Sequence, residues 1–125
     1  MLSHYIAIGL GGATGAIARV AFAKALPASL MGIPAQIIIV NVLGCFVMGF
    51  ITQFMGSFWS LPDHLKYFLI SGFLGGFTTF SAFSLESALL IERGLFTSAA
   101  LYAAGSVFAG IAGLFIGLYI TRAVA

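Results

Sequence analysis

Four apolar runs, each long enough to cross a bilayer, occupy almost the whole of this 125-residue chain. A helix needs about 20 predominantly apolar residues to span the hydrocarbon core of a membrane. The runs cover roughly residues 5–26, 36–58, 65–92 and 96–122. All three prolines lie between the runs, where they do not interrupt a helix. The sequence therefore predicts an all-α integral membrane protein, with residues 1–125 forming a single domain of four transmembrane helices.

The composition excludes several classes of protein. Hydrophobic residues make up 62% of the chain and charged residues 6%, which leaves too little polar surface for a water-soluble domain of this size. The net charge of +2 comes from scattered cations, so we expect no nucleic-acid partner. The single cysteine, Cys45, excludes a disulfide framework within the chain. Two histidines near span ends do not suggest a catalytic constellation, so we expect no enzyme.

Small residues recur every four positions on two of the predicted helices. In the first they are Gly11 and Gly15, and in the fourth Gly105, Ala109, Gly113 and Gly117. Such stripes let helix backbones approach closely in lipid. We expect at least one stripe to pack within a single bundle, while the other interpretation is an interface between subunits.

The distribution of basic residues gives the chain only a weak preference for one orientation. The side holding the first and third loops carries Arg19, Lys24 and Arg93, and the opposite side carries Lys66 and Arg122. Three against two is a small bias under the positive-inside rule. This predicts dual topology, in which two inverted copies form an antiparallel homodimer.

The third run contains an unusual cluster of glycines and hydroxyl residues over residues 71–84. Gly72, Gly75 and Gly76 weaken a helix, and nearby threonine and serine hydroxyls bond backbone groups that an interruption would free. We therefore predict that the third helix is broken near its middle. The alternative is a continuous helix whose glycines pack against neighbours.

A broken helix would offer carbonyl groups to a cation at one end and amide groups to an anion at the other. Phe80 and Phe83 lie three residues apart after the predicted break, on nearly the same helix face. Aromatic rings have a partially positive edge, so two ring edges and hydroxyl donors would hold an anion without a full positive charge. A phenylalanine pair at this spacing is more often part of a core or a lipid-facing surface.

Two charged residues lie within or near the spans. Arg19 falls late in the first, where an unpaired cation is costly, so we expect it to reach an aqueous vestibule or the membrane interface. Glu86 is the only acid inside a span. Near an anion path it would repel the ion unless it were protonated, hydrogen-bonded or displaced from the path.

Residues 75–84 read Gly-Gly-Phe-Thr-Thr-Phe-Ser-Ala-Phe-Ser. This run resembles the third-helix signature of the Fluc (CrcB) fluoride channels, usually Gly-Gly-x-Thr-Thr-Phe-Ser-Thr-Phe-Ser, from which only Ala82 departs. The likeness extends along the chain to Arg19, Val40, Asn41, Glu86, Tyr102 and Ser106.

The resemblance implies an antiparallel homodimer in the cell (inner) membrane that conducts fluoride passively out of the cytoplasm through two pores. It implies a central sodium ion held by the backbone carbonyls of Gly75 and Thr78. If the chain conducts anions, we expect Arg19 to attract them to the vestibule. The pore residues that it implies are the ring edges of Phe80 and Phe83, the amide N–H of Asn41, and the hydroxyls of Thr79, Ser81, Tyr102 and Ser106. Tyr102 and Ser106 also share a helix face by their spacing alone, which fits either a polar track or interhelical hydrogen bonds.

The principal alternative is a small dual-topology exporter of drugs or other cations. Such a transporter needs a carboxylate in its first helix, and no Asp or Glu precedes Asp63 in this sequence. A purely structural subunit is a third possibility, and it would leave the polar residues of the third span unexplained.

Overall fold

The computed structural model describes residues 1–124 as four long apolar helical segments joined by short connections. The first is α1 (Leu2–Lys24) and the second α2 (Ala35–Ser57). The fourth is α6 (Phe96–Ala123). The third covers residues 63–92 and consists of α3 (Asp63–Lys66), a π-helical segment (Tyr67–Leu74), α4 (Gly75–Phe77) and α5 (Phe80–Glu92).

All four segments have the length and hydropathy of membrane spans, as the sequence predicts. Only 11–17% of the residues in the most apolar window of each span are buried within the chain. Most of the apolar surface therefore faces outward, which is how a multi-pass membrane protein presents its helices to lipid or to other membrane-embedded protein.

A two-residue hairpin connects the first two spans. Strands β1 (Ser29–Leu30) and β2 (Ile33–Pro34) pair antiparallel, with Leu30 opposite Ile33. The turn residues Met31 and Gly32 have φ angles of 55° and 79°, the positive values that a type I′ turn requires. This short hairpin brings the end of α1 back to the start of α2.

Gly94 ends the third span. With a φ of 77° it donates its N–H to the carbonyl of Ile91 at 2.9 Å, and Leu95 donates to the carbonyl of Leu90 at 2.9 Å. These two bonds form a Schellman motif, which satisfies carbonyls at the end of α5 and reverses the chain into α6.

Close contact between glycines joins α1 to the first half of the third span. Added Cβ atoms at Gly11 and Gly15 would collide with the carbonyl oxygens of Phe68 and Phe73. A Cβ at Gly72 would lie 2.8 Å from the carbonyl oxygen of Ile8. The stripe on the first helix therefore packs within the bundle, which is the first of the two interpretations of such stripes.

The second close helix pair is α2 with α6. A Cβ on Gly117 would meet the carbonyl oxygen of Phe46, and one on Gly49 would meet that of Leu114. Gly113 lies against Val42, whereas a Cβ on Gly105 would be 3.9 Å from the nearest atom, the Cδ1 of Ile38. Part of the stripe on the fourth helix thus also serves packing within one chain.

Candidate ion site beside Thr78 and Thr79

The backbone of the third span leaves the helical conformation at two residues. Thr78 has φ −87° and ψ 155°, and Thr79 has φ −151° and ψ 122°, which are extended values. α4 ends immediately before these residues and α5 begins immediately after them. The carbonyl end of one helical segment and the amide end of another therefore lie on either side of a two-residue extended link.

Threonine hydroxyls bond the backbone on both sides of this link. Thr78 Oγ1 donates to the carbonyl of Leu74 at 2.8 Å, alongside the Thr78 N–H at 3.0 Å. Thr79 Oγ1 accepts the N–H of Ala82 at 3.2 Å and so caps α5. Only the main chain of Ala82 takes part in this cap, so the cap does not require the threonine that the family signature has there.

Asn41, on α2, makes two hydrogen bonds to the main chain of Thr79. The Thr79 N–H donates to Oδ1 at 2.8 Å, and the side-chain Nδ2 donates to the Thr79 carbonyl at 2.9 Å. In a continuous helix the Thr79 N–H would bond the carbonyl of Gly75. The carboxamide of Asn41 therefore takes the place of that helical partner.

Arg19 lies at the carbonyl end of α4. Its Nε donates to the carbonyl oxygen of Gly76 at 3.2 Å, and its side chain is partly buried. A guanidinium at a helix C-terminus interacts favourably with the helix dipole. This contact places the Nε edge of the guanidinium against the backbone, and the vestibule expected for Arg19 stays a prediction.

A cavity of about 330 Å³ adjoins the extended link. Six of the residues singled out from the sequence line it or supply its backbone: Asn41, Thr78, Thr79, Phe80, Phe83 and Ser106. No charged side chain lines the cavity in the part of the chain that the structure describes. Any ion held in this cavity would therefore have to interact with dipoles, hydroxyls and aromatic rings.

The aromatic residues form a chain from the surface to the core. The ring centroids of Phe80 and Phe83 are 5.5 Å apart with planes inclined by 47°, and those of Phe83 and Tyr102 are 5.2 Å apart at 35°. Phe80 is 78% exposed, whereas Tyr102 is completely buried. The rings are thus inclined to one another rather than parallel, and the edge of each ring is partially positive.

Two buried hydroxyls near this aromatic chain have no hydrogen-bond partner among residues 1–124. They are the phenol of Tyr102 and the Oγ of Ser106. Buried polar atoms in proteins almost always have a partner, and a bound water or ion is one explanation of an exception. The interhelical hydrogen bonds weighed for this pair do not occur within the described residues.

The remaining residues that the sequence singled out are Ser81, Gly75 and Glu86. Ser81 Oγ is 3.2 Å from Thr79 Oγ1, and Ser81 is exposed. Gly75 is exposed at the start of α4. Glu86 is partly buried on α5, one turn beyond Phe83, and does not line the cavity.

Sequence reasoning missed seven residues that contribute apolar surface to the cavity or shape it: Gly44, Cys45, Met48, Leu74, Val107, Gly110 and Leu114. Gly44 is the most informative, because a Cβ there would collide with Cγ2 of Thr78. The available signal was position, since Gly44 and Cys45 follow Asn41 by three and four residues and share its helix face.

Backbone carbonyls are the groups that could hold a metal ion here. No group of three or more His, Cys, Asp or Glu side chains that could bind a metal occurs in residues 1–124. The end of α4 offers carbonyl oxygens instead, and that of Gly75 lacks its usual helical donor because the Thr79 N–H is bonded to Asn41. Carbonyls at a helix end that have no helical donor suit a hard monovalent cation.

Comparison with known proteins agrees with the family resemblance. Residues 6–118 match the family model described as CrcB-like protein, Camphor Resistance (CrcB). A protein of Rhodopseudomonas palustris named fluoride-specific ion channel FluC is 44% identical over 122 residues, covering 96% of this chain and 98% of its own length.

Proteins with the same name in Novosphingobium aromaticivorans and Prosthecochloris aestuarii are 46% and 39% identical, each covering at least 94% of both chains. Matches of this extent include all four spans and the whole site. The chain therefore belongs to the CrcB-like family, as its third-span signature predicts.

Proposed function

We propose that this protein is a fluoride channel that lets fluoride leave the cytoplasm passively, down its electrochemical gradient. The observation that carries the proposal is the pair of buried hydroxyls of Tyr102 and Ser106, which have no hydrogen-bond partner among the described residues and lie beside inclined aromatic rings. Relatives that match almost the whole chain bear the name fluoride-specific ion channel. The absence of charge in the cavity lining suits conduction, because a fixed cation would bind the anion too tightly to release it.

In this mechanism, fluoride exchanges its hydration shell for a sequence of weak donors. The ring edges of Phe80 and Phe83 contribute partial positive charge. The hydroxyls of Ser106 and Tyr102, which are buried within the protein, supply O–H donors. Asn41 has a second amide hydrogen besides the one bonded to Thr79, and it lines the same cavity. Thr79 and Ser81 add hydroxyls on the exposed side of the site. Size excludes the larger halides.

The working unit in this proposal is an antiparallel homodimer with two pores. Phe80 is a large apolar ring that is 78% exposed on the single chain while lining the cavity, so the site is open on one side. A second, inverted copy would cover this side, and the weak bias of basic residues permits both insertions. The location proposed for this dimer is the cell (inner) membrane.

The third span functions in this proposal as two half-helices separated at Thr78 and Thr79. Their facing ends would serve two ions: amide groups and rings of α5 for the anion, and the carbonyls of Gly75 and Thr78 for a sodium ion. Bound sodium would supply a fixed positive charge that holds the ends together. Arg19, bonded to Gly76, would add positive potential near the mouth.

The exporter alternative has less support, since its essential carboxylate in the first helix is missing from the sequence. The relatives that match this chain also bear the name of a fluoride channel and not of an exporter.

A liposome experiment tests the channel proposal directly. Purified protein is reconstituted into liposomes loaded with potassium fluoride, and fluoride efflux is recorded with an electrode after a potassium ionophore is added. We expect rapid fluoride efflux and no chloride efflux from matched chloride-loaded liposomes. A folded, dimeric preparation that releases neither ion, or both at similar rates, would contradict the proposal.

A further inference from the structure

Asn41 uses both ends of its carboxamide on one backbone residue in another helix. Oδ1 accepts the Thr79 N–H at 2.8 Å, and Nδ2 donates to the Thr79 carbonyl at 2.9 Å. The pair is partly buried and joins residues 38 positions apart in the chain. Side-chain amides seldom bond both backbone groups of one residue unless that residue is extended, because a helix directs its N–H and carbonyl in opposite directions along its axis.

We propose that Asn41 is a positioning residue that holds Thr79 extended and so keeps the two halves of the third span apart. This proposal deepens the channel function proposed above and rests on it. The role differs from that of an anion donor, because the atoms involved are Oδ1 and one Nδ2 hydrogen, both directed at the backbone. The second Nδ2 hydrogen is left for the cavity.

The energetic reason is the Thr79 N–H. Within a membrane an N–H without a partner costs several kcal/mol, so the group must bond either Asn41 or its helical partner, the Gly75 carbonyl. The first choice leaves the Gly75 carbonyl available and directs α5 as observed. The second would close the helix, occupy that carbonyl and rotate Phe80 and Phe83 away from their present positions.

Gly44 supports the same conclusion from a neighbouring contact. It lies one helical turn after Asn41 and faces Thr78, whose Cγ2 occupies the space that a side chain at Gly44 would need. α2 therefore bonds Thr79 with one residue and accommodates Thr78 with the next residue on that face. Both extended residues therefore contact α2, Thr79 through hydrogen bonds and Thr78 through the space left by Gly44. These contacts indicate that α2 stabilises the extended conformation.

Two substitutions whose side chains are similar in shape to asparagine distinguish the positioning role of Asn41 from a role in anion binding. Asn41→Leu removes both hydrogen bonds. Asn41→Asp keeps an acceptor for the Thr79 N–H but places a carboxylate oxygen against the Thr79 carbonyl, and protonation of that carboxylate restores a donor there. An aspartic acid in its neutral form thus reproduces both bonds of the asparagine, whereas its ionised form cannot.

The first measurement is structural and independent of transport. The ¹³C shifts of the Thr78 and Thr79 Cα and Cβ atoms distinguish extended from helical backbone in selectively labelled protein. We expect extended shifts in the unmodified protein and in Asn41→Asp at a pH below the pKa of the introduced carboxyl, which is read from the ¹³C shift of that carboxyl. We expect a change toward helical or averaged shifts in Asn41→Leu, and in Asn41→Asp at a pH above that pKa. Ser106→Ala, which removes a cavity hydroxyl that does not bond Thr79, should keep extended shifts.

The second measurement is fluoride efflux at the same two pH values, with the leak of protein-free liposomes subtracted. Misplacing reacting or binding groups by about 1 Å can cost about 100-fold, so we expect a loss of that order in Asn41→Leu. Asn41→Asp should show the same loss at the higher pH and recover on acidification. Cys45 on α2, Glu86 on α5, Tyr102 on α6 and Arg19 on α1 are the other titratable groups around the site. The unmodified protein, measured in parallel, reports their contribution.

The outcomes separate the two proposals. No fluoride efflux from the unmodified protein would overturn the channel function, while the shifts would still decide the role of Asn41. Extended shifts that persist in Asn41→Leu and in ionised Asn41→Asp would overturn the positioning role. If Asn41→Leu does not fold, the two protonation states of Asn41→Asp decide alone, because they share one protein preparation.

Discussion

At the scale of single residues, the site is built from groups that are individually weak donors. Tyr102 is fully buried, and its hydroxyl has no partner in the described part of the chain. Its ring packs on Phe83, whose ring packs on Phe80. A buried hydroxyl without a hydrogen-bond partner costs stability. The chain therefore carries a local cost that a ligand accepting hydrogen bonds would relieve.

Tyr102→Phe should change stability and transport in opposite directions. The substitution removes a buried donor that has no partner within residues 1–124, so thermal stability should stay equal or rise. Fluoride efflux should fall by about 10-fold or more, because hydrogen bonds to charged groups contribute about 1.5–3 kcal/mol. Thermal unfolding and liposome efflux of the same preparation check both parts. A fall in both quantities would indicate a structural role for the hydroxyl.

Phe80→Ile should abolish fluoride efflux while leaving the protein folded. The ring is 78% exposed, so its loss removes little internal packing, but an aliphatic side chain has no positive edge to offer an anion. Phe83→Ile should have the same effect on efflux and cost about 1 kcal/mol more stability, since its ring packs on Tyr102. Unchanged efflux in Phe80→Ile, measured with size-exclusion chromatography as the control for folding, would remove the ring-edge proposal.

Ala82→Thr, which restores the usual family residue, should change efflux only slightly. The structure uses the N–H of Ala82, bonded to Thr79 Oγ1, and that bond survives the substitution. Efflux and thermal stability should both stay close to those of the unmodified protein. A silent protein that begins to conduct only after this change would contradict the view that the chain is active as it stands.

At the scale of helices, glycines decide which helices pair. α1 meets the first half of the third span through Gly11, Gly15 and Gly72, and α2 meets α6 through Gly49 and Gly117. In lipid, where helix association depends on close packing, backbone contacts of this kind provide the attraction. The two pairs are joined at the site by the bonds between Asn41 and Thr79.

Gly15→Ala and Gly9→Ala form a matched pair on α1. A Cβ at Gly15 would collide with the backbone of Phe73, while one at Gly9 would meet nothing within 4 Å. We expect Gly15→Ala to destabilise the protein by about 1–3 kcal/mol through overpacking. Gly9→Ala should be neutral or stabilising because alanine favours helix.

Thermal unfolding followed with a thiol-reactive dye would measure this difference. Cys45 is the only cysteine in the sequence and is partly buried, so unfolding would expose it. Equal melting temperatures for the two variants would contradict the close contact between Gly15 and Phe73.

The helices themselves could be predicted from local signals, and the details of the third span could not. The four spans lie within three residues of the expected bounds, because prolines and Gly94 mark their ends locally. The glycines and hydroxyls of residues 71–84 indicated the weak region. However, the choice of Thr78 and Thr79 as the extended pair depends on Asn41 and Gly44 in another helix, and no local pattern encodes that choice.

Two other features depended on tertiary contacts that sequence periodicity does not report. The π-helical segment Tyr67–Leu74 was not expected, since its apolar residues and glycine also fit an α-helix. Arg19 was expected near water, but its partner, the Gly76 carbonyl, becomes accessible only because the helix ends there. The shared helix face of Tyr102 and Ser106 follows from their spacing, whereas the lack of hydrogen-bond partners for their hydroxyls within residues 1–124 could be seen only in the packed chain.

At the scale of the whole molecule, a single chain leaves its site incompletely enclosed. Phe80 is largely exposed, and at most 17% of the residues in each span window are buried within the chain. Polar donors that face open lipid would be unfavourable, so in the proposed channel a second chain would cover the exposed side of the cavity. This is the physical argument for assembly, and it complements the weak orientation bias of the sequence.

Reporter tags at both termini should be detected on both sides of the membrane in cells. Five basic residues divided three to two provide little preference for one insertion, so both orientations should be populated. Protease protection of tags in intact cells and in lysed cells provides the measurement, with a protein of fixed orientation as the control. A single orientation for every molecule would exclude the antiparallel homodimer.

The glycine contacts have a mechanical consequence for the kind of device this chain can be. Where carbonyl oxygens rest against glycine Cα atoms, as between α1 and residues 67–77, sliding or rolling one helix would drive a side chain into the opposing backbone. Carriers that open alternately to each side need helices that rock past one another. A scaffold whose helices interlock in this way would hold its ion-binding sites in fixed positions. The transport rate would then depend on how quickly ions move from one site to the next, and not on a conformational cycle.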